Sequence, residues 1–282
     1  MKSYVFSIGL FFFMIGFSEE KTFAASIENR QAPISFQITL QNWEAVNHIL
    51  QKKSTFTVID VETGKSFEVQ RRAGSRHADV QPITKKDTKI MKEIYDGRWS
   101  WRRKAVLILA NDSLIPASMH GMPHGAGALQ NGFPGHFCIH FPGSTTHRSG
   151  KADLSHHVMI LKAAGKIDDY FTSLQAEQLI NVFLVTIKNQ DQKLAEKISI
   201  SNQKKWKQKL NNIEQIEAIQ WSLPQTTNKE TRYSLVTQIP VEIKMFIKER
   251  GAVKTNLVFT LMRTSPLSPW KVNIDPLLSS IN

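Results

Sequence analysis

The stretch 120–140, HGMPHGAGALQNGFPGHFCIH, organises the reading of the chain around it. It holds the only cysteine, Cys138, and four of the nine histidines, His120, His124, His136 and His140. Five glycines and two prolines sit inside it, and the segment before it, SLIPASM, has the character of a strand. Two strands joined by a Gly-rich loop bring His120, at the end of the first, close to Cys138 in the second. A thiol with a histidine in reach is the minimal equipment for nucleophilic catalysis. If 136–141 is a strand, its side chains alternate between faces. His136, Cys138 and His140 then share one face that lines a cleft, and Phe137, Ile139 and Phe141 share the face that packs on a core.

Working outward towards the N-terminus, 105–110 and 113–119 read as a strand pair turned by Asn111-Asp112. Thr84 and Asp87 mark a capped helix start, with the helix running to about Tyr95 and stopping near Gly97. The stretch 73–84, AGSRHADVQPIT, reads as irregular and carries His77 and Asp79. Residues 55–61 and 66–71 form a hairpin around a 62–65 turn, and 41–50 carries Trp43, Val46 and Leu50 at helical spacing. SFQITL, 35–40, is a short strand candidate. Trp99 and Trp101 flank Arg102, Arg103 and Lys104 and read as apolar anchors beside a strand.

Towards the C-terminus, 151–164 reads as a helix stopped by Gly165, with Leu154, Val158, Leu161 and Ala164 on one side. His156 and His157 fall at its start and are expected on the surface, as is His147. A second helix starts around Thr172 and Gln175, and 191–198 is a third. The pattern then switches to period two over 213–223, 231–246, 254–263 and 270–274. Helices followed by a long-stranded antiparallel sheet make an α+β unit. The predicted organisation is a β-rich domain over 25–165 and an α+β domain over 170–282, so the fold class is α+β. No internal repeat is present.

The first 24 residues read as a secretory signal peptide: Lys2, an apolar run over 4–17, and a small-x-small cleavage signal at 22–24. That run is shorter than the roughly 20 residues that span a bilayer, so no membrane span is expected after cleavage, and the protein is expected outside the cell or at the wall. The chain carries 36 Lys and Arg against 24 Asp and Glu, a formal charge of +12. Lys2 and Lys21 cancel Glu19 and Glu20, so cleavage leaves that balance unchanged. A secreted basic protein favours anionic wall polymers. No helix-turn-helix, zinc-finger or RNA-binding signature is present, so nucleic acid is not an expected partner.

The spacing resembles the signature of the L,D-transpeptidases. There, a histidine is followed by fourteen to seventeen residues and then Ser/Thr-His-Gly-Cys, a hydrophobic residue, and Asn or Arg. His120, His136, Cys138 and Ile139 match, whereas Gly135 stands for Ser/Thr, Phe137 for Gly and His140 for Asn/Arg. The resemblance covers about twenty of 282 residues. It implies a mainly β catalytic domain that cross-links peptidoglycan stem peptides, with Cys138 as nucleophile, His120 as its base and His136 shaping the site. Gly135, Phe137 and His140 would lie at the substrate side, and no cofactor would be needed. A thiol paired with an imidazolium would be expected at a pKa of roughly 5 to 7. The C-terminal order of elements is similar to the cone-shaped domains related to nuclear transport factor 2. The same residues leave two other readings open. One is a zinc-dependent wall hydrolase with ligands among His77, Asp79, His124, His136 and His140. The other is a wall-binding protein without catalysis.

Overall fold

The computed structural model describes residues 37–146, 150–223 and 233–281. The signal-peptide reading, His147 and the first residues of the 231–246 strand lie outside them. Within Ser35–Asn282, which forms one compact unit, the fold is α+β, built on a closed barrel and a second sheet.

Helix α1 (Trp43–Ile49) precedes the hairpin β1 (Thr55–Asp60) and β2 (Ser66–Ala73). Strand β3 (Ala78–Pro82) and helix α2 (Lys85–Ile94) follow. Strands β4 (Arg103–Ala110), β5 (Ser113–His120) and β6 (Phe137–His140) complete the barrel in the order β1-β2-β3-β6-β5-β4. Every neighbouring pair is antiparallel. α2 starts with the expected capping box, Thr84 and Asp87 each accepting from the other's backbone N–H. β3 was not expected, because 73–84 reads as irregular; its five residues are all buried, including Asp79 and Gln81. SFQITL contributes, among its described residues, only a single bridge from Ile38 to Leu114.

The barrel is filled by the alternating apolar positions of its strands, among them Val58, Val69, Ala78, Val80, Val106, Ile108, Ala117, Met119, Phe137 and Ile139. Alternation therefore sends His77, Asp79, His120, Cys138 and His140 to the opposite face. Closure also removes the exposed sheet edges that invite aggregation.

Helix α3 (Leu154–Ala163) is followed by α4 (Ile167–Ser173), α5 (Ala176–Lys188) and α6 (Gln192–Ile198). Thr172 therefore belongs to α4 and does not start the next helix; α5 begins after a Gln175–Gln178 capping box. β7 (Ser199–Ile200) and α7 (Trp206–Lys209) come next, then a 3-10 turn at Leu210–Gln215 in place of the expected start of a strand. β8 (Ile216–Ser222), β9 (Val236–Ile247), β10 (Gly251–Met262) and β11 (Lys271–Asn273) form a sheet in the order β7-β11-β10-β9-β8, and α8 (Asp275–Ile281) packs beside it. α5 is the spine of the second core, burying Leu179, Val182, Phe183 and Ile187. That core also takes in Ala105 of β4 and Val158, Met159 and Ala163 of α3, so α3 is packed from both sides. No described helix is long and apolar enough to cross a membrane.

Phe183 is fully buried and meets Phe259 edge-on at 5.7 Å. Phe183→Ala is expected to destabilise the fold by about 3–5 kcal/mol, measured as a lowered urea midpoint.

Candidate active site

The strand register assembles the site. Asp79 of β3 pairs with Cys138 of β6, Ser118 of β5 pairs with His140 of β6, and Arg103 of β4 pairs with His120 of β5. Directly opposed residues on one face of a sheet lie within side-chain reach. Cys138 is thus flanked by the carboxylate of Asp79, whose Oδ1 lies 3.5 Å from Sγ and accepts from the thiol. A backbone bridge then folds the Gly-rich loop back, with His124 and His136 exchanging N–H···O bonds of 2.9 Å. The fold-back puts His124 Nε2 3.3 Å from Cys138 Sγ. His124 Nδ1 lies 3.1 Å from the carbonyl of Met122. A carbonyl only accepts, so that contact places the ring N–H on Nδ1 and leaves Nε2 with a lone pair aimed at the sulfur.

Glycine is required where the loop closes. Gly135 has φ +124, and a Cβ there would stand 2.5 Å from the carbonyl oxygen of His124. Below the loop, Gln81 Oε1 accepts from the Ala128 and Leu129 amides, and Asn131 Oδ1 accepts from the Phe133 amide. These bonds tie the polar residues of β3 to the loop and the site through Gln81 Oε1 and Asp79, while Gln81 Nε2 is buried with no hydrogen-bond partner.

His77, 1 % exposed, has both ring nitrogens on oxygen acceptors: Nδ1 is 2.7 Å from the Thr145 carbonyl and Nε2 is 3.1 Å from Asp79 Oδ1. His136 Nε2 approaches the same carboxylate oxygen at 3.8 Å, and its Nδ1 lies 3.0 Å from the Ala126 carbonyl.

α3 contributes a residue expected on the surface. His156 is buried, its Nδ1 2.9 Å from Ser118 Oγ, and its ring stacks on His140 at 3.8 Å. The N-cap explains it: Asp153 accepts from the Ser155 and His156 amides and pairs at 2.8 Å with Arg103, which docks the helix start on β4. The stripe His156, Met159, Ile160, Ala163 is buried, and that spacing was the available signal. His157 is exposed, as expected. Trp99 packs edge-on against Phe133 and is an anchor, but Trp101, half exposed, lies over the rings of His120 and His124 at 4.7 and 5.4 Å.

The sequence-derived candidates thus fall in distinct places. Cys138, His120, His124, His136, His77, Asp79 and His140 converge, and Cys138 belongs to each of three close triads: with His77 and His140, with His120 and His124, and with Asp79 and His136. The resemblance assigns the base to His120, whereas the ring bonded to sulfur is His124; His120 lies within 4.8 Å of both. Phe137 points into the barrel core, so only its backbone can face a substrate. His140 is buried between His77 and His156 and presents no exposed edge for a substrate carboxylate. Burial, then the Asp79 carboxylate, pushes the Cys138 thiol well up, against the lowered value expected from an imidazolium partner. Burial, with the Arg103 charge behind it, pushes His120 well down, which keeps it a neutral ring.

No family model, curated protein or solved structure matches the chain.

Proposed function

We propose that the protein is a cysteine acyltransferase acting on peptidoglycan stem peptides, as the resemblance of its 120–140 motif implies. The observation that carries this reading is the 3.3 Å contact of Cys138 Sγ with a His124 Nε2 whose other nitrogen is held by a backbone carbonyl. The neutral thiol turns its single S–H from Asp79 Oδ1 to His124 Nε2 and loses the proton there as sulfur attacks the scissile carbonyl carbon. His124 then returns that proton to the departing amine, leaving a thioester on Cys138. The amine of a second stem attacks the thioester, its proton passes through His124, and the thiol is restored. The raised thiol fits proton transfer during attack and does not fit a standing thiolate–imidazolium pair.

A cavity of about 360 Å³ lined by Trp99, Trp101, Met122, Lys188 and the 216–220 strand lies beside the rings that Trp101 covers. Cys138, His120 and His124 are not in its walls, and within it Lys188 supplies a cation for stem carboxylates. The test is transfer between purified stem peptides, followed by chromatography of the cross-linked product. His124→Ala is expected to lose about 10²–10⁴-fold, the usual contribution of a general base, and His120→Ala less. Wild-type turnover in His124→Ala would overturn the assignment of the base, and no transfer by the wild type, stripped of metal, would overturn the function.

A further inference from the structure

We infer that His120, His124 and Cys138 form a binding site for a divalent transition ion of the zinc class, which holds the nucleophile in a masked state. The masking half of this inference rests on the acyltransferase reading; the site itself does not.

The donor set and its spacing carry the site. One ring nitrogen from each histidine and the Cys138 sulfur all lie within 4.8 Å of one another. Zinc bound to sulfur at about 2.3 Å and to nitrogen at about 2.0–2.1 Å in a tetrahedron sets a sulfur–nitrogen edge of about 3.5 Å. The sulfur–nitrogen separation to His124 is 3.3 Å, so that edge is already built. A metal-bound histidine typically donates its second nitrogen to a carbonyl or carboxylate, which is what His124 Nδ1 does with Met122. His120 supplies a second, independent observation. Its ring is 3 % exposed, and its Nδ1 has no hydrogen-bond partner. Leaving such a group unsatisfied costs about 1–3 kcal/mol, which a ring placed for metal ligation would justify.

Charge also favours the ion. A carboxylate 3.5 Å from sulfur opposes a bare thiolate. A dication bound to that sulfur reverses the balance: the ion and thiolate together carry one positive charge, and Asp79 neutralises it. Binding converts the thiol to a zinc thiolate and releases one proton to solvent. Three protein ligands leave a fourth position, on a site whose rings Trp101 covers. In this state one lone pair of the Cys138 thiolate is held on the ion, which lowers its nucleophilicity, and His124 Nε2 cannot accept a proton.

The experiment uses the whole protein, stripped with a chelator and titrated with zinc against a chromophoric competitor. Cobalt is added to a parallel sample to read thiolate-to-metal charge transfer. One equivalent should bind with the thiolate band, and zinc should suppress transfer at least tenfold. Cys138→Ser and His120→Ala should each weaken zinc by at least 100-fold. His136→Ala and His140→Ala should shift it by less than about tenfold, the lower range for outer groups. A circular dichroism melt confirms that each variant is folded, and His120→Gln replaces His120→Ala if the latter is not. Absence of a thiolate band, or equal losses in His136→Ala or His140→Ala, overturns the ligand set. Zinc bound with the thiolate band but no transfer in either state defeats the acyltransferase reading and leaves the site standing. Transfer that zinc does not alter defeats the masking and leaves the acyltransferase reading standing.

Discussion

Cys138→Ala should bring stem-peptide transfer down to the uncatalysed background, a loss of about 10⁴-fold or more, as removal of a nucleophile does elsewhere. The expectation follows from the position of the residue. Cys138 is the only cysteine, so no other thiol can substitute. Its side chain is small and 2 % exposed on a strand whose other face carries the barrel core. Truncation to alanine therefore leaves the packing of Phe137 and Ile139 in place. Asp79 loses one donor but keeps the His77 contact at 3.1 Å, so the melting point should move by only a few degrees, an effect of roughly 1 kcal/mol. Activity loss with a retained melt is the result to look for in a parallel assay of product and circular dichroism. An alanine variant that still transfers at a tenth of the wild-type rate would place the chemistry elsewhere.

Gly135→Ala should cost about 10²-fold in the same assay, although it removes no reactive group. The backbone there has φ +124, which L side chains rarely adopt, and the new methyl would meet the His124 carbonyl at 2.5 Å. One of the two has to move. The His124–His136 bridge is what holds Nε2 against the sulfur, and a shift of about 1 Å in a catalytic group costs about that factor. The effect should appear in kcat with His124 and Cys138 both intact. Gly132→Ala serves as the comparison: it also has positive φ, but nothing lies within 4 Å of its Cβ position. It should keep most of its activity, and equal losses in the two variants would mean that backbone strain alone, not the fold-back of His124, is being read.

What the sequence made legible is what periodicity and capping encode. α2 with its Thr84 box, the hairpins β1–β2 and β4–β5, and the alternation in β6 were all readable, because one face of each is apolar and the other polar. β3 was not, because Ala78–Pro82 has buried polar residues where a solvent-facing strand would have exposed ones; the partners of Asp79 and of Gln81 Oε1 come from β6 and from the loop 121–136, which are distant in sequence. α4 starts without a side-chain cap hydrogen bond and so had no start signal.

The site was legible as a list and illegible as an arrangement. His77, Asp79, His120, His124, His136, Cys138 and His140 were named from residue type and, for His120, His136 and Cys138, from spacing. Which histidine touches the sulfur depends on the β-bridge that brings His124 back against His136, a long-range event that a fourteen-residue gap does not reveal. His156 was missed for a related reason. Its burial comes from the Arg103–Asp153 pair that docks α3 on β4, and neither partner is near the 120–140 motif in sequence. Burial raises the thiol and the Asp79 carboxylate on β3 adds to that, and neither is visible in the spacing of the 120–140 stretch.

An acyl-enzyme on Cys138 is read directly from the mass of the protein after a brief exposure to donor stem peptide. Metal-stripped wild type is mixed with excess donor without acceptor, quenched in acid, and weighed intact before peptide mapping. The expected result is a gain equal to the donor's acyl portion, located on Cys138, abolished in Cys138→Ala and released by an added acceptor amine. An unmodified protein under conditions where cross-linked product accumulates, or an acyl group mapped to any residue other than Cys138, would contradict it.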